Sequence, residues 1–139
     1  MTVLDTDIFS DFRYGRNDVV ASVQSVPADE LALTVVTVVE SLKGWLAEIV
    51  RATNSTNPSS LTVAYAQIQL SLAAVSDYEV LPYTHSAHTI FLAWRATKVR
   101  IGTQDLRIAA ICVAHDATLV SRNRRDFDKV PELKLSVWN

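Results

Sequence analysis

The 139-residue sequence predicts an α/β domain, a parallel sheet covered by helices on both faces. Two observations carry that expectation. LALTVV (31–36) and ATLV (117–120) are continuous apolar runs, the pattern of strands buried on both sides. Between and around them, apolar residues recur at a period near 3.6, as in helices that cover a sheet.

The elements follow in order. Thr2 to Leu4 form a short strand that runs into Asp5, and Thr6 and Asp7 open a helix. Val19, Val20, Val23 and Val26 have helical spacing, and Pro27 closes the segment. After the strand LALTVV the period changes, and Val38, Leu42, Trp45, Leu46 and Ile49 fall on one helical stripe. TNSTNPSS (53–60) is a polar turn rich in breakers, and Leu61, Ala64, Tyr65, Ile68, Leu72 and Val75 make the next stripe. Val80-Leu81 reads as a short strand, and Ala87, Phe91 and Trp94 as a helix ending near Val99. Leu106, Ala109, Ala110 and Val113, joined by Ile108 and Ile111, predict a helix apolar on nearly all sides. After ATLV, the alternation of Leu133, Leu135 and Val137 predicts a half-exposed edge strand.

Composition narrows the function classes. Apolar residues are 49% of the chain and charged residues 20%, a globular balance, and the length suits a single domain over residues 1–139. No run approaches the roughly 20 apolar residues that span a bilayer, so no membrane partner is expected. The absence of a leader and the single cysteine, Cys112 within IAAICVA, fit a cytoplasmic protein with one buried thiol. Charge is distributed unevenly. Residues 1–94 hold four basic and ten acidic side chains, residues 95–139 nine basic and five acidic. The basic residues between Arg95 and Lys129 can create a local site for a polyanion such as RNA.

Ligands of such a sheet bind beyond the carboxyl ends of its strands, so the turns there matter most. The first turn presents Asp5, the helix after LALTVV presents Glu40, IGTQD presents Asp105, and SRNRRDF presents Asn123 and Asp126. Each has a structural explanation: Thr37-x-x-Glu40 has capping-box spacing, Thr103 can cap with Asp105 in the first turn, and Asn123-x-x-Asp126 resembles a capping pair. Asp5 itself reads three ways, as a helix cap, as the nucleophile of a DxD phosphatase, or as a metal ligand. Capping alone does not require an acid at every turn, because Ser, Thr and Asn cap as well. Several carboxylates converging on one edge would repel without a divalent cation, and an oxygen-only ligand set suits Mg²⁺, with Mn²⁺ able to substitute.

IGTQDLRIAA (101–110) and LVSRNRRDFDKVPELKLSVW (119–138) resemble the C-terminal signature of PIN-domain ribonucleases, and the VapC-type toxins of toxin–antitoxin pairs are the nearest branch. LDTDIF (4–9) and TVVESLKGW (37–45) resemble the family's earlier motifs, in order. The resemblance implies a three-layer PIN-like sandwich and Mg²⁺-dependent endonuclease cleavage of RNA, transfer RNA being one candidate substrate. It places the core acids on Asp5, Glu40 and Asp105, and the fourth position on Asn123, where many members have Asp. Asn123 or Asp126 then completes the site. Ser121 stands where Thr is more usual, and Thr6 lies beside Asp5. Arg122, Arg124 and Arg125 are the candidate phosphate contacts. A cognate antitoxin and a homodimer are the implied partners, the apolar stripe over Leu61 to Val75 adding to the second expectation. The alternative is a haloacid-dehalogenase-like phosphatase using Asp5 as nucleophile, for which Lys98 and Asp126-x-Asp128 are poor partners.

Overall fold

The computed structural model describes residues 1–138; Asn139, the last position of the expected domain, lies outside the described residues. The chain runs β1 (Thr2–Leu4), α1 (Thr6–Arg13), α2 (Asn17–Gln24), a 3₁₀ turn (Ala28–Glu30), β2 (Leu31–Thr34), α3 (Val35–Thr53) and α4 (Ser60–Ser76). It continues through β3 (Glu79–Leu81), α5 (His85–Ala96), α6 (Thr103–Ala114), β4 (Thr118–Ser121), α7 (Arg124–Phe127) and β5 (Lys134–Val137). The five strands form one sheet in the order β3-β2-β1-β4-β5, and every pairing is parallel. This is the expected α/β sandwich. The crossover helices divide between the faces, as is usual for parallel sheets.

Strand periodicity distributes the core. Val3, Ala32 and Leu119 point to one face, where they meet Phe91 and Trp94 of α5 and the buried side of α6. Leu4, Leu33 and Val120 point to the other, against Ile8 and Phe9 of α1, Val19 and Val23 of α2, and Trp45 of α3. Six residues of α6 are buried, Leu106 and Ile108 through Cys112, which explains its nearly all-apolar sequence. Cys112 is fully buried, and that burial pushes its thiol up to about 12, so it behaves as a small hydrophobe.

Two elements depart from the sequence expectation. LALTVV is not wholly strand: the strand stops at Thr34, whose hydroxyl accepts the N–H of Thr37 at 3.1 Å and caps α3, so Val35 and Val36 are helical. A local side-chain hydrogen bond overrides the β preference of the two valines. The cap also removes the capping-box reading of Thr37 and Glu40, which sit inside the helix instead. The helix α5 ends at Ala96 rather than near Val99, because Lys98 turns left-handed at φ 62°. The long stripes of α3 and α4 are only partly covered. Val38, Trp45 and Ile49 are half-buried, whereas Val39, Leu42, Leu46 and Val50 stay exposed on α3, as do Tyr65 and Leu72 on α4. Among the described residues, no helix is long and apolar enough to cross a membrane.

Candidate active site

The carboxyl edge of the central strands gathers the predicted acids. Asp5 follows β1 and is 6% exposed. Its Oδ1 accepts the backbone N–H of Ile8 at 2.9 Å, so Asp5 is the N-cap of α1. Its Oδ2 accepts the hydroxyl of Ser121 from the end of β4, the strand that pairs with β1. Burial pushes the Asp5 carboxyl above its ordinary range, and Asp7 adds to the shift, while the bonds from Ile8 and Ser121 oppose it. Capping engages Oδ1, so the cap and metal-ligand readings of Asp5 are compatible.

Glu40 lies on α3, about one turn beyond the buried Thr37. The hydroxyl of Thr6 donates to its Oε1 at 2.8 Å, which ties α1 to α3 and aims the carboxylate at the edge where Asp5 sits. The Thr6 hydroxyl also lies 3.3 Å from that of Thr37. Asp105 enters on the first turn of α6. Its carboxyl is pushed up to about 6, first by burial and then by the negative charges of Glu40, Asp5, Asp126 and Asp7. That coupling places all five acids in one electrostatic field. Asp7 is the member sequence reasoning passed over; it is exposed on α1, and its signal was the second acid of the DTD triplet.

The expectation that every strand–helix turn presents an acid fails at β3. Thr84 caps α5 there, accepting the N–H of Ala87 at 3.1 Å, and carries no charge. The sheet order gives the reason: β3 is the outermost strand on that side, remote from the β1–β4 centre. Asp105 instead comes from the helix–helix turn between α5 and α6, where Gly102, not Thr103, is the N-cap. The helix α6 packs under Val3 and Leu119, which brings its N-terminal turn to the same edge.

Beyond β4 the backbone N–H of Asn123 donates to Ser121 Oγ at 3.0 Å. Asn123 Oδ1 accepts the N–H of Asp126 at 3.3 Å and its Nδ2 donates to Asp126 Oδ2 at 3.0 Å, so both ends of the amide are spent on Asp126. The amide bond holds the Asp126 carboxyl below its ordinary range, with help from Arg125 and Lys129. Arg122 is half-buried and paired with Asp11 of α1 and, at 3.5 Å, with Asp18 of α2. Arg124 and Arg125 are exposed, pairing with Asp128 at 2.9 Å and Asp126 at 3.4 Å. Two histidines have structural partners: His88 Nδ1 meets the Tyr83 hydroxyl at 2.9 Å, and His115 Nδ1 meets the carbonyl of Ile111 at 2.9 Å at the end of α6.

The donor set suits a hard divalent cation. It is all oxygen, and Asp105 carries a protonation bias that a nearby positive charge would remove. Among the described residues, no three acids, histidines or cysteines close into a ready cage for an ion.

Comparison with known proteins decides the family. The PIN domain family model matches residues 2–133. The chain belongs to the PIN domain family. Solved structures share its fold over nearly the whole length. FitAB bound to an IR36 DNA fragment is 20% identical with a TM-score of 0.77, covering 100% of this chain and 96% of that one. DNA-bound VapBC from Salmonella typhimurium is 18% identical with a TM-score of 0.72, covering 99% and 98%. VapBC-1 from nontypeable Haemophilus influenzae is 22% identical with a TM-score of 0.71, covering 99% and 97%. Comparison with curated proteins gives no match. Membership of the PIN family does not favour the phosphatase alternative for Asp5.

Proposed function

We propose that this PIN-domain chain is a metal-dependent endoribonuclease and acts as the toxin of a VapC-type toxin–antitoxin pair in the cytoplasm. The observation that carries the reading is the convergence of Asp5, Glu40, Asp105 and Asp126 on one edge, with Asp105 pushed up to about 6 by the others and by burial. Asp5, Glu40 and Asp105 are the proposed ligands of Mg²⁺, with Mn²⁺ as a substitute. When bound, the cation supplies Lewis acidity for hydrolysis of a phosphodiester. Ser121 and the Ile8 N–H orient Asp5, and Thr6 orients Glu40. Asp126 supplies the fourth charge, and Asn123 positions it, because both polar atoms of the amide are already engaged with that residue. Arg124 and Arg125 are proposed phosphate contacts, while Arg122 anchors the β4–α7 turn to α1 and α2.

Two partners follow from the same reading. A groove between α1 and the α3–α4 hairpin begins at Thr6, Asp7 and Glu40 and extends past Trp45 and Gln67. It suits an antitoxin segment that lays an apolar face along the groove and presents an arginine to the carboxylates, and a toxin–antitoxin complex from Klebsiella pneumoniae is among the structures of similar fold. The exposed apolar stripe of Val39, Leu42, Leu46 and Val50 supports a homodimer. Light scattering that finds a monomer at tens of micromolar would count against that assembly.

The deciding assay incubates purified protein with RNA and with a phosphomonoester, each with Mg²⁺ and with chelator. Cleavage of RNA only with the metal is expected. Turnover of the phosphomonoester alone would replace this reading with the phosphatase one.

A further inference from the structure

Beside the acidic edge lies a second cleft, of about 640 Å³, formed by the α5–α6 connection and closed on one side by Asp126. Three of its lining residues are cationic, Arg95, Lys98 and Arg100. Among the described residues none of the three has a carboxylate within ion-pair distance. The neighbouring cations differ: Arg122, Arg124, Arg125, Lys129 and Lys134 each have an acidic partner. Positive charge is thus neutralised on the α7 side and left uncompensated on the α5–α6 side.

The backbone at this connection is informative too. Lys98 occupies the left-handed position that ends α5, with its N–H bonded to the carbonyl of Arg95 at 3.2 Å and the N–H of Val99 to that of Trp94 at 3.0 Å. Glycine fills such a position without strain, and a long β-substituted side chain does not. The turn therefore carries a lysine where conformation alone would choose glycine. Arg95 is steadied from below, its guanidinium carbon 5.5 Å from the centre of the Phe91 ring. No aromatic side chain lines the cleft, so it offers charge without a stacking platform.

We infer that Arg95, Lys98 and Arg100 form a track for the phosphate backbone of the RNA, entering the acidic site from the α5–α6 side past Asp126. The inference rests on the nuclease reading and deepens it. Three cations without stacking rings bind phosphates irrespective of base, so the cleft positions the strand and leaves sequence choice to other surfaces. It also sets a counter-charge beside carboxylates that would otherwise repel the substrate on approach.

The test is binding of short unstructured single-stranded RNAs of two different sequences, measured by fluorescence anisotropy over roughly 50 to 200 mM salt. An Asp5→Asn background prevents cleavage during the titration, and the reference protein carries no other change. Replacing the cations together, as Arg95→Gln, Lys98→Gly and Arg100→Gln, should weaken binding of both RNAs alike. The slope of log affinity against log salt should become shallower by about 2, at roughly 0.7 per phosphate contact on a single strand. A charge-keeping variant, Arg95→Lys with Lys98→Arg and Arg100→Lys, should hold the reference slope and so separate charge from any effect on folding. An unchanged slope in the neutralised variant overturns the inference, and so does a loss confined to one RNA sequence. An RNA slope that is kept while affinity for an acidic protein partner is lost overturns it as well. Should wild-type protein cleave RNA while the neutralised slope stays unchanged, only the track fails. Should wild type neither bind nor cleave RNA, the nuclease reading fails with it.

Discussion

Replacing Asp5 by Asn separates the cap that this side chain forms from the metal-ligand role proposed for it. As a cap, Asn accepts the Ile8 N–H about as well as Asp, so the start of α1 should survive within a few tenths of a kcal/mol. The bond from Ser121 weakens from a charged to a neutral one, a loss of about 1 kcal/mol, while removing a charge from a site 6% exposed acts in the opposite direction. Metal-free variant and wild type should therefore melt within a few degrees of each other. Their response to metal should differ. At a Mg²⁺ or Mn²⁺ concentration a hundredfold above its dissociation constant, wild type gains about 2.7 kcal/mol. If loss of one ligand charge weakens binding tenfold, the variant at the same concentration gains only about 1.4 kcal/mol. For a chain of 139 residues these correspond to shifts of about 9 °C and about 5 °C. Thermal melts with and without metal, run beside an RNA cleavage assay, read both effects. Metal-dependent cleavage should disappear in the variant. A variant that cleaves at the wild-type rate, or gains as much from metal, would show that Asp5 is a cap and nothing more.

Ser121→Ala should be costlier than its size suggests, because it leaves both the Asn123 N–H and one oxygen of Asp5 without a partner at a fully buried position. A loss of about 1.5–3 kcal/mol is expected by denaturant titration, and Ser121→Thr, which keeps the hydroxyl, should recover most of it. The pH dependence has a definite sign. With its folded pKa at about 6 against 3.8 unfolded, Asp105 binds more protons in the folded state, so metal-free stability should fall as pH rises from about 4 to about 6. The expected loss is ~1–2 kcal/mol after allowance for solvent screening at a partly exposed group. Saturating Mg²⁺ should remove that decline, because binding needs the carboxylates ionised; a metal-free melting temperature that rises over the same window would contradict the burial argument. Arg122→Ala should cost about 1 kcal/mol through the loss of Asp11 and Asp18, less at high salt, with little change in RNA affinity measured by anisotropy.

Much of this arrangement was legible in the sequence, and the lapses have physical causes. The buried strands announced themselves because parallel pairing leaves no polar face to interrupt the run. The same property hid the end of β2, since Val35 and Val36 continue an apolar string that only the cap made by Thr34 divides. Asp5, Glu40 and Asp105 stood out as acids at turns, and IGTQD was legible as a turn between two helices, yet sequence could not say that this turn reaches the edge, because strand order is a tertiary fact. The partners of Arg122 were equally hidden, lying 111 and 104 residues away. Resemblance supplied the grouping of the acids and geometry the means by which Ser121, Thr6 and Asn123 hold three of them.

The bond between Asp5 and Ser121 joins positions 116 residues apart, and it lies where the first strand meets the fourth. Synthesis from the N-terminus makes Asp5 first and delivers its hydroxyl partner 116 residues later. Until β4 arrives, β1 has β2 on one side and nothing on the other, and Asp105 and Asp126 lack the platform that turns them toward Asp5. The acidic edge is thus closed by contacts far apart in sequence, the slow kind to form. A growing chain holds its acids apart, and the proposed site can come together only once β4 has been made.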